Sequence, residues 1–220
     1  MGEPADVAAF DFDGTITIGD TLLGFLGRVS GNRAVAAAML RHGPAVALAA
    51  TGRADPDVAK AAVLARLLAG RAVADVERVV ASYTDEVVSR RLRPAVVDKI
   101  AWHRSRGDTL LVISASPELY VDPIARRLGF HAALATRLEV GDDGRLTGAL
   151  LGANVRGAEK VARLRTYLGE ERPARLWAYG NSRGDADLLA MADVATMVTR
   201  RGLVVLRGDP GSASPTAASG

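Results

Sequence analysis

Cysteine is absent from the 220 residues, which excludes disulfides and thiolate metal sites. Histidine is scarce: His42, His103 and His131 lie far apart and follow no metal-ligand spacing. A bound metal would therefore take oxygen ligands, and a hard ion such as Mg²⁺ is favoured over zinc. Lysine is rarer than the basic total suggests, with only Lys60, Lys99 and Lys160 among 28 Lys and Arg residues. The chain also lacks a basic run. Its formal net charge is +3, and its densest cluster, Arg90-Arg91-Leu92-Arg93, is too short to track a phosphate backbone. Nucleic acid is thus not expected as a partner, and a solvated helix end accounts for the cluster. No uninterrupted run approaches the roughly 20 apolar residues that span a bilayer. The most apolar stretch, Ala34 to Ala50, is broken by Arg41-His42-Gly43-Pro44. It is expected to form two short helices packed on each other, with a membrane-surface contact as the alternative. The start of the sequence shows no basic region followed by an apolar core, so the expected location is cytoplasmic. The oligomeric state is left open.

What is present is an ordinary globular composition, 49% apolar and 24% charged. The length suits one large domain or a domain with a substantial insert. Val7 to Phe12 reads as a buried strand. From Asp20 to about Arg93, apolar residues recur at helical spacing, with breaks near Ser30-Gly31-Asn32, Gly52 to Pro56 and Gly70-Arg71. About four helices are expected there. Beyond Pro94 the rhythm alternates. Helix Ala95 to Arg106 precedes strand Thr109 to Ile113, and helix Pro117 to Leu128 precedes an extended segment around Ala133 to Val140. Gly141-Asp142-Asp143-Gly144 reads as a hairpin turn into Leu146 to Leu151. Helix Gly157 to Leu168, strand Arg175 to Tyr179, helix Asp185 to Ala192 and strand Val194 to Val198 follow. This alternation predicts an α/β fold, a three-layer, parallel-sheet Rossmann-like core with an inserted α-helical cap. The expected core is 1–19 with 94–207, the cap 20–93, and a disordered tail 208–220.

Four stretches carry chemistry. Asp11-Phe12-Asp13-Gly14-Thr15 sets two carboxylates two residues apart where the first strand runs out. Such a pair can hold one hard cation while one acid stays free to attack, although an Asp-Gly turn closing a strand gives the same letters. In Leu110 to Ser116, Ser114 and the amides of the next turn offer donors to an anion; an N-cap serine is the alternative. Lys160 lies near the start of a helix, in a chain that otherwise uses arginine. A compact ammonium there can meet both a carboxylate and a phosphate, whereas the bland reading is a surface lysine. Finally, Tyr179-Gly180-Asn181-Ser182-Arg183-Gly184-Asp185-Ala186-Asp187 ends a strand in a loop bearing Asn181 and Asp185. These could support the cation opposite Asp11 and Asp13; an N-cap explains either Asp185 or Asp187 alone.

With these four in order, the chain resembles the haloacid dehalogenase superfamily of phosphohydrolases. It is most similar to the branch with a helical cap after the first motif, which includes phosphoserine phosphatase. The stretch Gly148 to Val161 resembles the phosphoserine-phosphatase-like hydrolases that include phosphatidylglycerophosphatase C. The resemblance implies that Asp11 is the nucleophile forming an aspartyl-phosphate. It makes Asp13 the general acid for the leaving alcohol and then the base for water. Ser114 and Lys160 become phosphate ligands, with Gly14 and Ala115 beside them in the substrate site. Asp11, Asp13 through its carbonyl, and Asn181 and Asp185 of the fourth motif would hold Mg²⁺.

Two positions depart from that pattern. Most relatives place Asp directly after the glycine of the fourth motif, where this chain has Asn181, so the site loses one negative charge. Nine residues after the nucleophile, where phosphoserine phosphatases carry Glu, this chain has Asp20. The expected function is hydrolysis of a small phosphorylated metabolite such as phosphoserine. A lipid phosphate of the phosphatidylglycerophosphate kind is the alternative substrate, and a non-catalytic phospho-ligand binder the alternative of another class.

Overall fold

The structure, a computed structural model, describes residues 5–51, 53 and 55–208. In chain order the elements are β1 (Val7–Phe10), α1 (Leu22–Ser30), α2 (Asn32–Ala50), α3 (Pro56–Leu68), α4 (Val73–Arg90), α5 (Pro94–Ser105), β2 (Thr109–Pro117) and α6 (Glu118–Arg127). Then come β3 (Ala132–Thr136), β4 (Leu138–Val140), β5 (Leu146–Leu150), α7 (Ala158–Leu168), β6 (Leu176–Gly180), α8 (Ala186–Met191), β7 (Val194–Thr199) and β8 (Gly202–Arg207).

Strand side chains point alternately to opposite faces, and here both faces are covered. Ala8, Phe10, Leu110, Val112, Trp177 and Tyr179 enter one apolar cluster with residues of α1 to α6. Val7, Ala9, Leu111, Ile113, Leu176 and Ala178 enter a second cluster with Leu164 of α7 and Leu188 of α8. The sheet therefore sits between two helical layers, the three-layer arrangement expected from the alternating pattern. Its strand order is β3-β2-β1-β6-β7-β8. All neighbours run parallel except β7 and β8. Phe10 is level with Val112 on one side and Tyr179 on the other. The residues just beyond them, Asp11, Ser114 and Asn181, consequently emerge at one carboxyl edge, where open sheets bind ligands.

The helices of 20–93 do not build a separate core. Phe25 of α1, Tyr83 of α4 and Tyr120 of α6 pack ring on ring, with Phe25 and Tyr120 centroids 4.5 Å apart. The chain leaves and returns side by side: Thr17 bridges Leu92, and Arg93 N–H donates to the Ile16 carbonyl at 2.9 Å. Arg93 also donates to the Gly14 carbonyl at 3.1 Å, tying the return path to the first motif.

Several expectations need correction. Ala34 to Ala50 is not two helices, because α2 runs unbroken through Pro44. A proline removes the bond to the carbonyl four residues back. Here that carbonyl belongs to Leu40, itself exposed, so water can replace the lost donor. The extended segment around Ala133 to Val140 splits between two sheets, β3 in the main sheet and β4 in a hairpin with β5. The first strand ends at Phe10, because Phe12–Ile16 turns as a unit with Gly14 at φ +78°. β8 was not anticipated; it folds back antiparallel on β7. The expected disordered tail lies, from residue 209, outside the described residues.

Candidate active site

The motifs converge on a cavity of about 340 Å³ lined by Asp11, Asp13, Gly14, Asp20, Ser114, Ala115, Lys160, Asn181 and Asp185. All nine residues singled out in the sequence thus share one wall-to-wall space. A larger groove of about 670 Å³ between α4, α6 and the β4–β5 hairpin contains none of them.

At the centre stands Lys160, on the first turn of α7 and 2% exposed. Its ammonium donates to Asp11 Oδ1 and to Asp185 Oδ1, each at 2.6 Å. Burial alone would push Lys160 toward the neutral amine, but the two carboxylates outweigh it and its pKa is raised. It stays an ammonium. Burial likewise pushes the Asp11 carboxyl up, and the Lys160 charge opposes that push. Thr15 Oγ1 donates to Asp11 Oδ2 at 2.9 Å, so both Asp11 oxygens are oriented.

Asp13 has a different setting. Its Oδ1 accepts from the Thr21 amide at 2.7 Å and the Thr21 hydroxyl at 2.6 Å, while Ser116 Oγ donates to Oδ2. Tyr83 of α4 donates to the Thr21 carbonyl at 2.6 Å. Burial and then the Asp20 charge raise the Asp13 carboxyl to about 6, against the pull of Ser116 and Thr21. Asp20 itself accepts the Leu22 amide at 2.8 Å, at the start of α1.

Ser114 is 1% exposed and accepts the Ser116 amide at 3.0 Å, leaving its O–H to donate into the cavity. Gly14 lines the cavity without offering it the backbone amide. Its amide is engaged inside the loop, by the Gly19 carbonyl at 3.1 Å and Thr17 Oγ1 at 3.3 Å. What Gly14 provides is room: a Cβ there would collide with the Asn181 side-chain amide.

Asp185 is likewise engaged. Lys160 takes Oδ1, and Oδ2 accepts from the Asn181 amide at 3.0 Å and from the Ser182 amide and hydroxyl, each at 2.9 Å. Asp185 thereby anchors the Asn181–Ser182 turn to Lys160. Of the other expected metal ligands, Asp11, Asp13 and Asn181 all line the cavity. An all-oxygen set with few carboxylates fits Mg²⁺, which keeps several waters and shares its shell with substrate phosphate. No group of three or more His, Cys, Asp or Glu side chains able to hold a metal occurs among the described residues. His103 instead bonds Asp108 and Tyr179 within the core, at 2.6 and 2.8 Å.

Sequence reasoning missed Thr15, Thr21, Ser116 and Lys60 as site residues. Thr15 and Ser116 stand inside quoted motifs, so their hydroxyls were a usable signal. Thr21 and Lys60 belong to the helical segment, and only the scarcity of lysine pointed to Lys60. It reaches the cavity from α3, donating to the Ala115 carbonyl and to Asn154 Oδ1, the latter at 2.7 Å.

Comparison with known proteins agrees with this geometry. The description "haloacid dehalogenase-like hydrolase" matches residues 8–190. Protein CicA of Caulobacter vibrioides is 37% identical over 211 residues, covering 96% of this chain and 90% of that protein. A crystal structure of a protein of unknown function from Bordetella pertussis Tohama I is similar at TM-score 0.75 and 26% identity, covering 86% of this chain and 87% of the other. A substrate-bound phosphoserine phosphatase shares the fold at TM-score 0.59 and 20% identity, covering 87% and 84%.

The Gly14 contact can be tested against a neighbour of matched conformation. Gly14 and Gly19 have φ of +78° and +77°, but only Gly14 is pressed by another residue. Alanine at either site should cost about 1 kcal/mol in backbone strain. Gly14→Ala should lose clearly more than Gly19→Ala in urea unfolding, because Asn181 must also move. Equal losses would show that Asn181 does not rest on Gly14.

The matched residues, the oriented acid pair and the full-length likeness agree: this chain belongs to the haloacid dehalogenase-like hydrolase family.

Proposed function

We propose that this hydrolase is a Mg²⁺-dependent phosphatase that cleaves phosphate monoesters of small metabolites through an aspartyl-phosphate on Asp11. Its family and its phosphatase-named relatives support the reaction class. The observation that carries the mechanism is the contrast between Asp11, which faces an ammonium, and Asp13, which faces hydroxyls and a second acid. Environment pushes two nearby carboxyls into different roles.

An anionic ester repels an anionic nucleophile, so attack needs positive charge and fixed alignment. Lys160 supplies charge beside Asp11, and Lys160 with Thr15 fixes the carboxylate plane. Ser114 donates to the phosphoryl oxygens. The cation, held by Asp11, the Asp13 carbonyl and Asn181, would neutralise phosphoryl charge. An Asp11 oxygen bonds to phosphorus as the bond to the leaving oxygen breaks, and Asp13 gives its proton to that oxygen. Asp13, now a carboxylate, takes a proton from the water that attacks phosphorus. The Asp11–phosphorus linkage then breaks and phosphate leaves. Asp20 assists by keeping the Asp13 proton in place until it is needed. The helices of 20–93 act as a cap that limits water and meets the leaving group.

Asp11→Asn keeps volume and one acceptor oxygen but removes the nucleophile. It should lower p-nitrophenyl phosphate turnover by several orders of magnitude while the circular dichroism spectrum stays that of the parent. Retention of activity within tenfold would refute the covalent route.

Asn181→Asp adds a carboxylate to the oxygen donors, so half-maximal activity should need less Mg²⁺. Titration of both proteins reads this, and an unchanged midpoint would remove Asn181 from the ligand set.

A lipid phosphate is favoured by one observation. Leu23, Leu40, Leu48 and Val58, all on α1 to α3, are 47%, 84%, 46% and 67% exposed. Acyl chains could lie against such a surface while the headgroup enters the cavity. No helix among the described residues is long and apolar enough to cross a membrane. Under this reading the protein should co-sediment with anionic liposomes, and Leu40→Glu with Leu48→Glu should abolish that without unfolding, since Leu40 is not a core residue. Absence of sedimentation in the parent protein would leave the soluble substrate.

A further inference from the structure

Two arginines of the basic cluster, expected at a solvated helix end, turn inward instead. α4 stops at Arg90, and the next residues run back beside the chain that leaves the first motif. Arg91 donates to the Asp20 carbonyl at 2.9 Å. Arg93 is half-buried, and its terminal nitrogens reach two neutral acceptors. These are the Gly14 carbonyl at 3.1 Å and, at the end of β7, the Thr199 carbonyl at 3.3 Å. Its Nε is buried with no hydrogen-bond partner, and no carboxylate among the described residues pairs with it. A guanidinium taken partly out of water thus bridges two main-chain oxygens, which its rigid fork can do and a single point charge cannot.

Gly14 is where that bridge acts. Its φ of +78° and ψ of −10° belong to the residue type with the most backbone freedom, so its neighbours must hold the shape. The Gly14 amide is held by the Gly19 carbonyl and Thr17 Oγ1. The N–H and C=O of one trans peptide point opposite ways, so those bonds fix the direction of the Asp13 carbonyl. Arg93 fixes the next peptide, which carries Thr15, and the Thr15 hydroxyl orients Asp11. On the third side, a Cβ on Gly14 would lie 2.0 Å from Asn181 Nδ2, so the Asn181 amide rests on the bare glycine. The three residues proposed to hold the cation thus meet at Gly14, and Arg93 is the side chain that pins its carbonyl. Resting on that cation reading, we propose that Arg93 is a positioning residue for the divalent-cation site, setting the Asp13 carbonyl and the Asn181 amide through Gly14. Its charge alone would do the reverse, because a guanidinium beside a cation site repels the cation. Positioning and charge therefore predict effects of opposite sign.

Mg²⁺ itself is the probe. Calorimetric titration of the substrate-free protein with Mg²⁺ needs no turnover, and the rise of melting temperature with Mg²⁺ is a second readout. Arg93→Gln should weaken Mg²⁺ binding about tenfold, as loss of a residue that orients metal ligands does, although it removes a repelling charge. Arg93→Lys keeps the charge but cannot span both carbonyls, so it should weaken binding too, by less. Arg91→Gln cuts bonds of the same linker, to the Ile18 and Asp20 carbonyls, and should leave Mg²⁺ affinity at that of the parent. A dissociation constant read on folded protein does not move with stability alone. With p-nitrophenyl phosphate, the Mg²⁺ midpoint of Arg93→Gln should rise while turnover at saturating Mg²⁺ stays near that of the parent. Where circular dichroism shows Arg93→Gln unfolded, Arg93→Lys decides. Unchanged or tighter Mg²⁺ binding in the folded variant would overturn the role of Arg93 alone. Absence of Mg²⁺ binding by the parent protein would refute the cation reading and this role with it.

Discussion

The Lys160 ammonium, 2.6 Å from both Asp11 and Asp185, is the contact on which the site depends. Three buried charges leave this cluster one unit negative. Removing Lys160 would leave two buried carboxylates facing each other without a cation, which is strongly destabilising, whereas removing one carboxylate leaves a neutral pair. The cluster also links three separate parts of the chain. Asp11 follows β1, Lys160 opens α7, and Asp185 closes the loop after β6. Through Asp185 the link reaches the Asn181 and Ser182 amides, and through Asn181 it reaches Gly14. The loop after β1 and the loop after β6 therefore share one electrostatic hub. Its residual negative charge gives a physical reason for a divalent cation beside Asp11.

Asp13 depends on a different set of neighbours. Thr21 and Ser116 hold its two oxygens, and Tyr83 and Tyr120 hold Thr21. Thr21 and Tyr83 both belong to the inserted segment. The environment that keeps Asp13 partly protonated therefore exists only when α1 and α4 are docked on the core. Phe25, Tyr83 and Tyr120 dock them through stacked and tilted aromatic contacts. Such burial is worth several kcal/mol, more than the surrounding hydrogen bonds return after exchange with water. Apolar packing thus secures the helical segment, and that packing in turn tunes the acid.

The sheet and the four chemical stretches were legible in the sequence because each has a local signature. Buried parallel strands read as apolar runs, and Asp11, Ser114, Lys160 and Asn181 fall where such runs stop or a helix begins. What the sequence hid was contact between distant residues. Nothing near Thr21 says that it will meet an acid eight positions earlier, or that Ser116 will meet the same acid from the other side. Gly14 was expected beside the substrate; it lines the cavity, and its amide bonds the Gly19 carbonyl within the loop. Asp185 was expected at the cation site because a carboxylate four residues past Asn181 suits one, but its bonds to backbone amides and to Lys160 had no local signature. The break expected at Gly43-Pro44 failed for a tertiary reason, since the freed carbonyl faces water. β8 escaped notice because Gly202 to Arg207 lacks alternation and pairs only with β7.

The helical segment meets the cavity with two kinds of surface, and α3 carries both. Its second half buries Val63, Leu64, Leu67 and Leu68 in the shared core. There β5 approaches closely, since Gly148, with φ +90°, would bring a Cβ to 2.9 Å from the Ala65 backbone. The first turn of α3 is polar instead, and touches the core through Asp57 and Lys60 on Asn154. Each such bond contributes about 1 kcal/mol net, because water can take its place. The apolar half fixes where the first turn stands, while the polar half leaves its contacts open to exchange.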